Sequence, residues 1–154
     1  MSEVHRIAKQ LQRTSQGRAF HGPALEEVLA GVSAKTAAMR PPGGVHGIWE
    51  IVLHVTFWQA EVRRWLQGRH RRPGEGEDWP AVGSTTDAAW SQALKDMRAA
   101  NEALRDEVML LEESRLEEPI FPTMSKVYVS LHGIIQHNIY HAGQIALLKK
   151  ILFR

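Results

Sequence analysis

Apolar residues recur at helical spacing in four stretches of this 154-residue chain. Val4, Ile7, Ala8 and Leu11 mark a first helix from about Ser2 to Gly17. His21-Gly22-Pro23 interrupts the pattern, a short helix is expected over Ala24 to Ala30, and Gly31 ends it. Pro41-Pro42-Gly43-Gly44 is a firm break. Ile48, Ile51, Val52, Val55, Trp58, Val62 and Trp65 form the stripe of a second long helix, Gly47 to about Gly68. A loop rich in Gly, Pro and charge follows, to Gly83. Ser84-Thr85-Thr86-Asp87 then offers a capping box, with Asp87 three residues after Ser84. The third helix runs from there to about Glu113 through Ala89, Leu94, Met97, Leu104, Val108 and Leu111. Pro119 and Pro122 bracket the last connection, and either Thr123 or Ser125 can cap a final helix reaching about Leu152. Lys149, Lys150 and Arg154 suit its negative end. Nothing reads as a strand, and no repeat or low-complexity tract interrupts the pattern.

Four amphipathic helices bury their apolar faces most economically against one another, so the expected fold is an all-α four-helix bundle. The length fits a single domain over residues 1–154 with a sizeable core. A long connection through Pro23 to Gly44 separates the first two main helices, so an up-down arrangement with short loops throughout is not assured.

Composition adds mainly exclusions. Hydrophobic residues at 44% and charged residues at 23% are ordinary for a globular protein, and 19 Lys+Arg nearly balance 17 Asp+Glu. The one basic cluster, Arg69-His70-Arg71-Arg72, follows a helix end, where cations are favourable. No aromatic-basic groove or recognition motif accompanies it, which argues against a nucleic-acid partner. No apolar stretch approaches the length of a membrane span. Charges at the N-terminus occupy the place of a signal peptide's apolar core, so a cytoplasmic location is expected. Cysteine is absent, which removes disulfides, thiolate metal sites and a cysteine nucleophile. Any metal must use nitrogen or oxygen ligands, and any thiol in the chemistry must come from a small molecule.

Candidate chemistry concentrates in the last helix, at His137-Asn138-Ile139-Tyr140-His141-Ala142-Gly143-Gln144. Histidines four apart share a helix face and can share a metal ion. His54 sits deep in the second long helix between Leu53 and Val55. If the two helices pack together, three imidazoles converge and leave coordination positions open, as catalytic sites require. Each histidine alone reads more readily as a hydrogen-bonded core residue than as a ligand. Together, without partners, they would leave buried nitrogens unsatisfied. Of the eight histidines, His5, His21, His46 and His70 lie at helix ends or loops, and His132 is about half a revolution from His141. Asn138 stands where the zinc-protease motif H-E-x-x-H has its glutamate base, so peptidase chemistry is not expected.

Four neighbours carry two readings each. Glu50, one turn before His54, either accepts that ring's second N–H or is a solvated glutamate at a helix start. Trp58, one turn after, either walls the site or packs in the core. Gln144 either orients a bound water or serves helix packing. Tyr140 either reaches a substrate or the bundle edge. No catalytic residue can be assigned.

The run from Leu131 to Ile145 resembles the terminal signature of the DinB-like superfamily, and Ile48 to Val55 resembles its second-helix signature. Phe20 to Leu29 is similar to the family's first connection. The resemblance implies a four-helix bundle with a divalent metal, commonly nickel or zinc, held by His54, His137 and His141. It also implies several possible activities, because the family includes thiol-dependent transferases and isomerases, metal-dependent hydrolases and DNA-damage-inducible members. The expected function is therefore a metal-dependent enzyme, acting as a thiol-dependent transferase or isomerase or as a hydrolase on a small-molecule substrate. The alternative is a non-catalytic stress-response or binding bundle with a structural metal. A homodimer is the expected assembly.

Overall fold

A computed structural model describes residues 1–43 and 46–153. Gly44, the last residue of the expected Pro/Gly break, lies outside the described residues, as does Arg154. The described residues hold four long helices: α1 (Glu3–Gln16), α4 (Ile48–Leu66), α5 (Asp87–Met109) and α6 (Val127–Leu152). Between α1 and α4 lie two short ones, α2 (Leu25–Leu29) and α3 (Ala34–Ala37). A 3-10 turn, Glu113–Glu117, precedes α6. The expected all-α bundle is thus the observed fold.

Around the bundle the order is α1, α5, α4, α6, with each helix packed on its two neighbours. Chain direction follows from two apolar clusters. One holds Ile48, Val52, Trp90, Met97, Ala142 and Ile145, the other Ile7, Leu11, Val62, Leu104, Val108 and Leu131. Helices α4 and α5 both begin in the first cluster and end in the second, whereas α6 runs the opposite way. Parallel neighbours cannot be joined by a tight turn, so residues 67–86 must return along the bundle's length. That return brings a loop across the site.

Between the two clusters lies a layer of buried polar groups. Gln59, Asn101 and Asn138 are each at most 1% exposed, and Thr14 and Ser15 close the layer from α1. Asn101 Nδ2 donates to Gln59 Oε1 at 2.7 Å, and Gln59 Nε2 donates to the Val55 carbonyl at 3.3 Å. The three histidines occupy this same level, where apolar packing yields to polar contacts.

Three boundaries differ from expectation. Thr86, not Ser84, caps α5, accepting from Ala89 N at 3.2 Å. That helix stops at Met109 rather than near Glu113, giving way to the 3-10 turn. Neither Thr123 nor Ser125 caps α6, which starts at Val127. Thr123 has φ 70°, in the left-handed region, while the Ser125 carbonyl accepts from Ile120 N at 2.9 Å. Val127 N donates to the Glu118 carbonyl at 2.9 Å, so pairing with the preceding segment delays the helix.

Gly47 begins α4 with Glu50 Oε2 accepting its N–H at 2.8 Å. A Cβ there would lie 2.6 Å from the Met39 carbonyl oxygen, a backbone atom that cannot rotate aside. Gly47→Ala is therefore expected to destabilise the fold by about 1–3 kcal/mol through overpacking, measured by urea denaturation. An unchanged midpoint would contradict the close approach.

Candidate metal centre

Helix α4 contributes His54, and α6 contributes His137 and His141 one turn apart. His54 and His141 are 5% and 4% exposed, and His137 is half-buried. His137 Nε2 lies 3.0 Å from His54 Nε2 and 3.1 Å from His141 Nε2. One nitrogen from each ring falls within 4.8 Å of the other two. Nitrogens about 2.0–2.1 Å from a shared zinc ion stand about 2.9–3.4 Å apart at angles of about 90–110°. The two short spacings fit that range. Three histidines brought this close can hold one metal ion.

Hydrogen bonds on the outer nitrogens fix two of the rings. His54 Nδ1 lies 2.6 Å from the Asp78 carbonyl oxygen, and the Asp78 carboxylate is 3.7 Å away. A carbonyl can only accept, so Nδ1 carries the proton and Nε2 presents its lone pair inward. His141 Nδ1 likewise donates to Gln144 Oε1 at 2.7 Å. Metal-binding histidines need this outer support to hold both tautomer and ring plane. Among the described residues His137 Nδ1 is buried with no hydrogen-bond partner, as are both side-chain polar atoms of Asn138.

Aromatic rings close one side. Trp79 stacks on His54, with centroids 3.8 Å apart and planes 13° from parallel. Its other face carries His46 at 3.6 Å and 7°. Trp58 stands edge-on to His54 at 6.5 Å and to His137 at 6.4 Å, and also packs on Trp65 at 5.9 Å. It is both wall and core. Tyr140 is exposed, with its ring 5.2 Å from that of His141.

Glu50 stands at the helix start, as its second reading has it, but paired rather than solvated. Besides the Gly47 N–H, its carboxylate meets Arg40 at 2.6 Å and His46 at 3.5 Å, and none of these contacts involves His54. Burial pushes its pKa up, but the Gly47 hydrogen bond and the His46 and Arg40 partners outweigh burial and leave it lowered. Asp78 does what Glu50 was a candidate to do. Asp78, Trp79 and His46 were not singled out by the sequence pattern. The usable signal was a tryptophan inside a polar Gly/Pro loop, which has no reason to be there unless the loop docks.

The remaining candidates are held elsewhere. His132 packs on Tyr128 at 4.4 Å. In the basic cluster, Arg71 pairs with Glu77, His70 stacks on Phe121 at 5.2 Å, and Arg72 lies over the same ring at 5.8 Å. The Phe121 contacts bind the loop to the bundle, and the Arg71–Glu77 pair ties the loop to itself.

Burial lowers the pKa of all three site histidines. For His137, burial together with the neighbouring His141 and His54 rings brings it from 6.5 to about 4. All three are therefore neutral at pH 7, with lone pairs available to a cation. In the metal-free protein the unfolded chain takes up protons near pH 6.5, whereas folded His137 does so only near pH 4. Its contribution to stability is full above about pH 6.5 and is lost as pH falls toward 4. Urea midpoints of metal-free protein should fall across that window, and less steeply in His137→Gln. Identical slopes would contradict the assignment.

No described helix is long and apolar enough to cross a membrane. A comparison with curated proteins finds no match, and a comparison with solved structures finds none either. A family model described as DinB superfamily matches residues 20–145, a span containing α2 to α5, all three histidines and the loop that supports them. The chain belongs to the DinB superfamily.

Proposed function

We propose that the protein is a metal-dependent enzyme that holds zinc or nickel through His54, His137 and His141 and acts on a small molecule by hydrolysis or thiol transfer. The observation that carries this reading is the convergence of three Nε2 atoms, two of them held as inward lone pairs by Asp78 and Gln144. A bound divalent ion supplies Lewis acidity, which makes water or a small thiol nucleophilic near neutral pH. Three neutral ligands leave that ion its full charge. Trp79 and Trp58 keep solvent from the His54 side, and burial keeps protons off the imidazoles. Because the chain has no cysteine, thiol transfer requires a low-molecular-weight thiol as cofactor.

Untagged protein should take up one equivalent of zinc or nickel. Screens of esters, and of electrophiles with and without added thiols, should reveal turnover that chelation abolishes and metal restores. Absence of metal uptake would end this reading. One observation favours a second: the cavity beside His141 has no carboxylate in its lining among the described residues, so no carboxylate general base stands there. A non-catalytic bundle with a structural metal would lose thermal stability on chelation while turning over nothing in either screen.

A further inference from the structure

A cavity of about 710 Å³ opens beside His141, between α6, Ile51 of α4 and the chain preceding α4. Its volume lies within the about 300–1,000 Å³ typical of pockets for drug-sized molecules. Pro41, Pro42, Ile51, Leu148 and Ile151 supply aliphatic walls. The stacked pair of Trp79 and His46 supplies a flat one. No Lys, Arg, Asp or Glu lines it among the described residues. A charged group entering this space would lose hydration without gaining a counter-ion, which is among the costliest steps in binding.

The outer surface of α6 extends the same character. Tyr140, Gln144, Leu147 and Ile151 follow helical spacing along one stripe, starting beside His141 and running to the helix's C-terminal end. Tyr140 is 64% exposed, Leu147 60% and Ile151 48%, so this stripe has apolar area left to cover. Gln144 Oε1 is engaged by His141, which leaves its amide nitrogen as the end able to donate to a polar group. His141 belongs to both the histidine cluster and the cavity lining, so the cavity reaches the cluster at that ring.

We propose that this space selects neutral, lipophilic small molecules: an uncharged polar head at the three histidines, and a hydrocarbon or aromatic tail along Leu147, Leu148 and Ile151. The proposal rests on the metal-centre reading and adds the substrate class. It disfavours substrates whose tail carries a carboxylate, phosphate or ammonium group. The competing occupant of the stripe is a second copy of the chain.

Two ligand series separate these possibilities. Butane-, hexane- and octanehydroxamic acids are titrated calorimetrically into zinc-loaded protein, and the corresponding simple amides into metal-free protein. Each added methylene should tighten binding about three- to fourfold in both series. A terminal carboxylate on the tail should cancel that gain. Leu147→Glu, at an exposed position, should flatten the chain-length dependence in both series while zinc stays at one equivalent. Zinc binding with no chain-length dependence in either series would overturn the cavity proposal and leave the metal centre standing. Amides that gain affinity with length on a protein that takes up no zinc would overturn the metal reading, and the joint site with it. A dimer that Leu147→Glu dissociates, again without chain-length dependence, would assign the stripe to a second copy and overturn the proposal.

Discussion

His54→Ala is expected to abolish stoichiometric metal retention. The substitution removes the only ligand supplied by α4, leaving two histidines on one turn of α6. Losing a supporting hydrogen bond to a metal ligand typically weakens binding about 10- to 100-fold, and losing the ligand itself should exceed that. The effect reaches stability as well. An ion present at about 1,000 times its dissociation constant stabilises the folded state by about 4 kcal/mol. Wild-type protein should therefore show a metal-dependent rise in melting temperature that the variant lacks. His54 is buried, so alanine also opens a cavity, and His54→Gln provides a polar replacement nearer in size. Far-UV circular dichroism checks that both variants fold. His132→Ala is the control, since that ring shares α6 but packs on Tyr128. Metal analysis together with thermal melts decides the matter. Unchanged affinity in both His54 variants, with folding intact, would remove the three-histidine site.

The parts of the fold legible in advance were those governed by long, repeated burial. α1, α4 and α5 each bury one face over three or more turns, so their apolar periodicity survives in the linear pattern, whereas α6 carries apolar residues on its exposed face too and is marked by its long apolar run. α3 spans only Ala34–Ala37, too short for any periodicity, and its Ser33 cap resembles an ordinary turn residue. The direction of α5 relative to α4 was not legible either. Apolar spacing reports which face is buried, not which end meets which, and the parallel pairing emerges only from the partition of the core into two clusters.

The site divides along the same line. His54, His137 and His141 stand on long helices, where spacing defines a face, and the structure brings them together. Gln144 follows His141 by less than one turn, and its role as hydrogen-bond acceptor was not assigned because orientation within a face depends on rotamer and partner. Asp78 and Trp79 lie on an irregular segment without a period, and their placement comes from the return path that parallel helices require. Glu50 illustrates the reverse case. Its one-turn offset from His54 was correct, but the N–H of Gly47, Arg40 and His46 compete for the carboxylate and hold it at the helix start.

Trp79→Ala is expected to weaken metal binding about 10- to 100-fold without removing a ligand. The indole is the clamp that presses the crossover loop against the site, through its stack on His54 at 3.8 Å and on His46 at 3.6 Å. The neighbouring Asp78 carbonyl holds the His54 Nδ1 proton at 2.6 Å. Substituting the carbonyl's own residue would leave that backbone bond in place, so the effective cut is at the side chain that positions the loop. Without it, His54 samples other ring planes and tautomers, and a smaller share of the protein presents three lone pairs together. The loop should also open, which amide hydrogen exchange over residues 77–79 would register as lost protection. Trp79→Phe keeps a flat apolar face and should recover much of the affinity, whereas Trp79→Leu fills space without stacking and should recover less. Equal metal affinity in all three variants would mean that helices α4 and α6 hold the histidines unaided, and that the crossover loop only covers them.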